Sequence, residues 1–551
     1  MTPQAEDARR EKGGELTREF DKVASKRGIF ERHWEDVSRV VLPYYSTSFY
    51  SQGNTAPGTQ RNQDLFDTTA NTALFRFAAA MESMLTPRTS KWHRVRLTNP
   101  DLMKLRDVQL WCDQVNDLLF QYRYNANANY ASQQHDAYIS IGAFGTGSLF
   151  IDANRDAPGL RYRNVHLGEL FFAENHQGVV DKVYRRFKMT LRQCVQRWGE
   201  DNLPSKVTDK AKDFPENEVQ VLHVCRPRAD HDPSRLDAKR MPFESFYVIK
   251  DESFLVEESG YYSFPYTPSR YITAPGELYG RSPAMNVLPN IKVLNEVKKT
   301  MIKQGQRAVD PVLLLHDDGI LEGFNLTPGA TNFGAVNGDG RALVHTLPVG
   351  NMQIGKEHMD DERMAINDAF LVTLFQILID TPQMTATEVL ERSREKGALL
   401  SPTMGRYQSE ALGPQIRREF DVLYRQGLLP KIPAVVHEAR GEYEIQYDSP
   451  LSRALRAEEA SGIMRTMQFA AEIAAQTQDP SAMDWFNLDE IIPTVSDING
   501  APYRFMKTAE QVQQLRQGRA QQQQSEQMIQ AAPGVAAVTS AMAKAKAAGL
   551  E

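Results

Sequence analysis

Apolar positions in the first third of the chain return at helical intervals. Leu16, Phe20, Val23, Phe30, Trp34, Val37 and Val41 form one such series, and Pro43 stops it. Residues 46–63 are rich in Ser, Thr, Gly, Asn and Gln and read as a loop. A second helix is expected from Asp67, a good N-cap residue, through Leu74, Ala78, Met81 and Leu85, closed by Thr86-Pro87. A third is expected over 105–124 and a fourth over 130–141. The period then shortens: 148–152, 160–165, 180–187, 219–225, 245–250 and 271–273 are short runs rich in Val, Tyr and Phe, the pattern of strands. One helix interrupts them, opened by the capping box Thr190-x-x-Gln193 and stopped by Gly199. This middle section is a mixed α/β body.

Pro283 suits a first helical turn and opens a longer pattern. Val287, Leu288, Ile291, Leu294, Val297 and Met301 form its apolar stripe, and Lys292, Lys298, Lys299, Lys303 and Arg307 fill the other faces. A helix over 284–309 would be about 39 Å long at 1.5 Å per residue, with Pro289 either a kink or close to a delayed start. Residues 311–316 read as a strand and 342–345 as its partner, separated by a run containing Gly329, Gly334, Gly338 and Gly340. A second helix is expected over 360–380, with Asp360, Asp361 and Glu362 in its early turns and Met364, Phe370, Leu371, Leu374, Phe375 and Leu378 as its stripe. Two helices thus flank a strand-and-loop insert of unusual length. Farther on, Thr385-x-x-Glu388 opens a helix through Arg394, another spans 407–424 with Pro414 as a kink, 442–447 is a strand and 451–475 a long helix. The tail from Thr508 is rich in Gln and Ala, with a weak apolar stripe.

Composition narrows the function. The chain has 551 residues, with 64 basic and 70 acidic side chains and a net charge of −6. Tight, global DNA binding normally needs a net basic face, so this balance argues against it. It does not argue against a conduit, because walls that let DNA slide must not hold it. No apolar run reaches about 18 residues, so no membrane-crossing helix is expected. The opening Met1-Thr-Pro-Gln-Ala-Glu-Asp7 has no apolar core behind a basic start, so export by the usual route is not expected. Cys112, Cys194 and Cys225 form no C-x-x-C pair, and neither a disulfide framework nor a structural zinc site is expected.

The search for chemistry yields little. Gly142-Ala-Phe-Gly-Thr-Gly147 has the spacing of a phosphate-binding loop, but Ser148 stands where the lysine should be, and a helix precedes the loop where a strand should. It reads as a tight helix-to-strand turn. His316-Asp317-Asp318 precedes Gly319 and reads as a turn rather than a metal cluster. No H-E-x-x-H, G-x-S-x-G or kinase signature occurs. The cations of the 284–309 helix suit either DNA phosphates or neighbouring subunits, against the plainer reading of a solvated face with ion pairs.

The run Glu277-Leu-Tyr-Gly-Arg-Ser-Pro-Ala-Met-Asn-Val-Leu-Pro-Asn-Ile-Lys-Val-Leu-Asn295 resembles the head-to-tail connector (portal) family of short-tailed phages, in which a Tyr-Gly-x-x-Pro turn launches a stem helix and a Leu-Asn pair follows. Asp67-Thr-Thr-Ala70 with Leu85, Pro87 and Trp92 is similar to the family's early pattern. Met384-Thr-Ala-Thr-Glu-Val389, Gly413-Pro414, Gly427-Leu-Leu-Pro430 and Ser449-Pro-Leu451 extend the likeness in order over roughly residues 15–510.

The resemblance implies a mainly helical α+β subunit of a twelve-membered ring. A wing would occupy 1–282, a first stem helix 283–309, a clip 310–359 and a second stem helix 360–380. Residues 381–480 would return to the wing through a channel loop, at 379–386 or 396–406, and 481–551 would form the crown and tail. It implies a virion protein at one capsid vertex, assembled in the host cytoplasm, that is not an enzyme and needs no cofactor or metal. Its partners would be further copies of itself, double-stranded DNA, terminase, a tail adaptor, and the major capsid and scaffolding proteins. Lys292, Lys299, Lys303, Arg307, Arg392, Arg394 and Lys396 are candidates to face DNA, and His316, Asp317, Asp318, Asn337 and Asp339 to dock partners at the clip. The competing readings are a ring-forming helicase or nuclease subunit, which ATP hydrolysis would reveal, and another virion structural protein such as a tail adaptor.

Overall fold

The helical series of the first third is cut at residues 26–27, giving α1 (Pro3–Ser25) and α2 (Gly28–Val41) in the computed structural model of the protein. The structure describes residues 3–45, 49, 58–315, 325–348, 352–373, 404–438, 442–448, 450–477, 481, 484–498, 503–508 and 510–523. Arg27 sits at the cut, and its buried guanidinium donates to the carbonyls of Leu167 (3.0 Å), Gly168 (3.0 Å) and Leu170.

In chain order follow α3 (Thr69–Leu85), β1 (His93–Leu97), α4 (Arg106–Arg123) and α5 (Tyr130–Phe144). The strands β2 (Thr146–Ala153), β3 (Leu160–Asn164), β4 (Leu170–Glu174) and β5 (Val180–Thr190) come next, then α6 (Leu191–Trp198) and α7 (Ser205–Asp213). After β6 (Glu218–Pro227), β7 (Phe243–Ile249), β8 (Phe254–Tyr261) and β9 (Tyr266–Arg270) come α8 (Pro283–Asn286) and α9 (Leu288–Val309). The short strands β10 (Leu313–Leu315) and β11 (Val344–Thr346) precede α10 (Met352–Ala369). A π-helical turn (Gln408–Leu412) runs into α11 (Gly413–Arg425), followed by α12 (Ala434–Glu438), β12 (Tyr443–Tyr447), α13 (Pro450–Thr477) and α14 (Leu488–Ile498).

The chain divides into two compact units, one of residues 1–90 and 121–428, the other of 91–120 and 429–551. In the first, an antiparallel sheet of order β4-β5-β6-β7-β8 buries both faces. Leu222, Val224, Phe246 and Val248 meet Leu16 and Phe20 of α1 on one side, while Val221, Tyr247 and Ile249 meet Leu191, Cys194 and Trp198 of α6 on the other. The capping box at Thr190 and the Gly199 stop of α6 form as expected, with Gly199 at φ +75°. A second sheet, β3-β2-β9, packs against α5, which is buried over most of its length and fits against α3 so closely that a Cβ at Gly142 would crowd Phe77.

Within the second unit, β1 and β12 pair antiparallel, His93 opposite Tyr447. The Asn116 side chain satisfies the Val95 backbone, accepting from its N–H at 2.8 Å and donating to its carbonyl at 3.3 Å. Arg94 pairs with Asp448 across buried surroundings, and the Trp111 indole donates to the Pro430 carbonyl at 3.2 Å.

Several expectations shift. Residues 271–273 are not a strand; the pairing belongs to β9, and Ile272 keeps only a single bridge to Arg281. β1, β4 and β8 were not expected. β1 carries three polar residues in five and pairs with β12, some 350 positions away, which local pattern cannot reveal. The helix expected to span 360–380 instead starts at Met352 and ends at Ala369, followed by Leu371 at φ +59°. Asp360, Asp361 and Glu362 therefore lie around its middle, and its buried face is Met359 and Ile366, continued by Phe370, whereas Met364 is exposed. Leu374, Phe375, Leu378 and the expected 385–394 helix lie outside the described residues.

Candidate functional site

The Tyr279–Pro283 turn that launches the long helix is assembled by contacts the local sequence only hints at. Tyr279 is buried among Phe30, Trp34 and Phe172. Gly280 N–H donates to the Thr146 hydroxyl at 2.9 Å, and a Cβ at Gly280 would overlap the Gly145 carbonyl oxygen. Gly145 itself sits at φ +74°, ending α5. The glycine-rich run at 142–147 is therefore a helix-to-strand turn whose backbone is covered by Gly280, and it leaves no cradle for a phosphate. Ser282 caps α8: its hydroxyl accepts from Met285 N–H at 2.9 Å and donates to the Ala143 carbonyl at 2.8 Å. The helix then pauses at Val287 and restarts with Pro289 in the first turn of α9, so the proline marks a delayed start.

The helix pair α9 and α10 is tied to the segment of residues 64–67. Asn295 accepts from Phe66 N–H at 2.7 Å and donates to the Asp64 carbonyl at 2.8 Å. Asp67, in the same segment, accepts from Thr69 N–H at 2.9 Å and from Arg363 of α10 at 2.7 Å. Burial opposes ionisation of Asp67, yet the Thr69 and Arg363 hydrogen bonds more than offset it and hold its carboxyl below the usual carboxylate range. Asn290 of α9 donates to Glu362 of α10 at 2.8 Å, and Gly355 lets α10 approach Met301. Asn295 and Asp67 were both visible as motif residues. Arg363 was not, because its partner lies 296 positions away.

The four described channel candidates divide. Lys292 pairs with Asp36 at 3.0 Å, and Lys299 lies 3.7 Å from Glu296 and over the Phe66 ring. Lys303 and Arg307, on the last turns of α9, are exposed and make no ion pair among the described residues. Arg392, Arg394 and Lys396 lie outside the described residues, as does nearly all of both expected channel loops; residues 404–406 of the second begin a helical segment.

The insert between the helices carries the small ladder β10–β11, with Leu313 opposite Thr346. Asn337 shapes a turn: its side chain accepts from Asp339 N–H at 3.0 Å and Arg341 N–H at 2.9 Å, leaving the exposed Asp339 carboxylate at the tip. His316, Asp317 and Asp318 lie outside the described residues. Among the described residues no group of three or more His, Cys, Asp or Glu is placed to hold a metal, and no helix is long and apolar enough to cross a membrane. The three cysteines are buried and unpaired, and burial pushes the Cys112 thiol up to about 12 and the Cys194 thiol up to about 11.

Comparison with known proteins bears on the same span. A family described as bacteriophage head to tail connecting protein matches residues 14–506. The probable portal protein of Bordetella phage BPP-1 is 29% identical over 523 residues, covering 93% of this chain and 92% of that protein. The portal protein of Salmonella phage epsilon15 is 28% identical over 525 residues, with the same coverage of 93% and 92%. A solved chain from the virion of a native gene transfer agent particle covers 81% of this chain and 95% of its own, at 12% identity and a TM-score of 0.34.

Proposed function

Since this chain belongs to the bacteriophage head-to-tail connecting proteins, the portal proteins of phage particles, we propose that its copies close into a ring of about twelve subunits at one capsid vertex, through which double-stranded DNA enters and leaves. In this reading α9 and α10 are the stem, the β10–β11 insert is the clip, residues 1–282 are most of the wing, and 481–551 form the crown and tail. The clip is the docking ring for terminase and later for a tail adaptor, while the wing meets major capsid and scaffolding proteins, with assembly in the host cytoplasm. The ring acts as conduit and symmetry adaptor and performs no reaction, so it uses no cofactor.

The observation that carries this reading is the helix–ladder–helix arrangement of α9, β10–β11 and α10. Its two helices leave Val293, Ile302, Val309, Ile354 and Met364 exposed. A solvated pair of helices would not be expected to display so many large apolar side chains, and neighbouring copies in a ring would cover them.

Electron microscopy of the purified chain, with native mass alongside, tests it. Closed rings with a central hole and a mass near 750 kDa, about twelve times 62.3 kDa, are expected. Eleven- or thirteen-membered rings also fit, since the closing angle can relax without a capsid. A monomer or dimer under every assembly condition overturns the ring.

A further inference from the structure

Away from α9, the first unit carries a cleft that the conduit does not use. It has a volume of about 820 Å³ and adjoins a second hollow of about 650 Å³. Arg155, Arg163 and Arg197 line both, Arg161 adds to the first and Lys188 to the second. We infer that this cleft binds a phosphate-bearing ligand through Arg155, Arg163 and Arg197.

The backbone explains how the arginines converge. Along β3 the sequence Leu160-Arg-Tyr-Arg-Asn164 alternates buried and exposed positions, so Arg161 and Arg163 stand on one face. Arg155 lies in the hairpin loop joining β2 to β3, and Arg197 reaches in from the last turn of α6.

The cluster is only partly neutralised from within. Most arginines of this unit are paired: Arg123 with Glu419, Arg270 with Glu174 and Glu410, Arg226 with Glu19 and Glu244. Arg155 and Arg163 have no ion pair among the described residues. Arg197 lies 3.9 Å from Glu257, but that carboxylate already accepts from the Trp198 indole at 2.7 Å. The Arg197 Nε is buried and has no hydrogen-bond partner among the described residues, while its guanidinium is held over the Tyr247 ring at 4.1 Å. An unpaired buried N–H is costly unless an acceptor arrives. Two carboxylates also line the cleft. Asp152 is engaged by Arg418 at 3.2 Å and by Ala153 N–H at 2.9 Å, and Asp156 is exposed at the loop tip. Lys188 is engaged by Glu218 at 3.0 Å.

A planar guanidinium fork matches phosphate oxygens two at a time, and three forks around one cleft favour an oxyanion of high charge. The volume exceeds what one phosphate fills and suits a nucleotide-sized compound or a short length of nucleic-acid backbone. Both sources present the same phosphoryl oxygens.

The test uses the full-length protein at low salt, with titration calorimetry and Trp198 fluorescence as readouts. Probes are pyrophosphate, a single-stranded DNA of about twelve nucleotides, and citrate as a carboxylate control. Arg155→Gln/Arg163→Gln removes two exposed side chains and is expected to keep the wild-type circular dichroism and thermal midpoint. Pyrophosphate is expected to bind the wild type and to bind this variant about tenfold more weakly or worse, while Lys212→Gln, an exposed position of α7 outside the cleft, leaves it unchanged. If the DNA also binds, with a steeper salt dependence and the same loss in the double variant, the source is a nucleic-acid strand; if pyrophosphate alone binds, it is a small phosphate compound. Equal binding by wild type and double variant, or no binding of either phosphate probe, overturns the site. Citrate binding as tight as pyrophosphate also overturns it and assigns the cleft to carboxylates, such as those of a second copy of this chain.

Discussion

At the scale of single residues, the first unit is organised around charges buried for structural ends. Arg123 and Glu419 are both fully inaccessible and face each other beside the Tyr130 ring. Burial works against the arginine's charge, but Glu419 more than offsets it and raises its pKa. Removing one partner strands the other, so Glu419→Gln is expected to cost about 3–5 kcal/mol in urea unfolding. The double variant Arg123→Met/Glu419→Leu is expected to recover much of that loss, and a double variant no better than the single one would show that geometry rather than charge sets the penalty. His166 is a second case. Its Nδ1 accepts from Gly168 N–H at 3.0 Å, and burial, aided by Arg27, lowers its pKa to about 4. The unfolded chain takes this proton near pH 6.5 and the folded one refuses it until about 4. The stability this neutral histidine allows is therefore complete above pH 6.5 and falls as pH drops towards 4, by up to about 3 kcal/mol. His166→Asn keeps an acceptor without the titration, so the slope of the urea midpoint between pH 6.5 and 4 is expected to flatten in that variant. Neither residue was singled out by sequence, because a lone arginine or histidine carries no sign of its depth.

At the scale of elements, the local rules worked where one segment decides its own shape. The α6 capping box, the Ser282 cap and the Pro289 restart follow from side chains within four positions of each other. They failed where an element depends on distant partners, as with β1, and where a helix end is set by packing, as with α10. The tie at Asn295 shows the difference. Its place after Leu294 was legible as a motif, but its partners at Asp64 and Phe66 were not. Asn295→Ala would lose those hydrogen bonds and leave the Phe66 N–H short of a partner. A loss of about 2 kcal/mol in thermal or urea stability is expected, with faster amide exchange at residues 64–67. Unchanged exchange there would remove Asn295 as the anchor of the helix pair.

At the scale of the whole molecule, charge is distributed by task. Lys292 is neutralised by Asp36 and Lys299 lies near Glu296, which leaves Lys298, Lys303 and Arg307 as the described cations of α9 with no ion pair, and of these Lys303 and Arg307 are exposed. If the ring encloses DNA along this helix, these two are the weak phosphate contacts. Lys303→Glu/Arg307→Glu is expected to leave ring assembly intact by electron microscopy while changing the amount of DNA packaged or retained. Packaging identical to wild type would remove the contact.

The sequence by itself determined which stretches are helix or strand wherever apolar period and capping residues agree, the helix–ladder–helix layout, and the family, because ordered motifs spread over most of the chain specify a lineage even when each is weak. Only the tertiary structure decided that the glycine-rich run is a turn closed by Gly280, that Arg363 reaches Asp67, and that Arg155, Arg163 and Arg197 share one cleft. These are meetings between residues on different elements, up to hundreds of positions apart. Their energies depend on burial and on the direction of side chains, neither of which is encoded in any single segment.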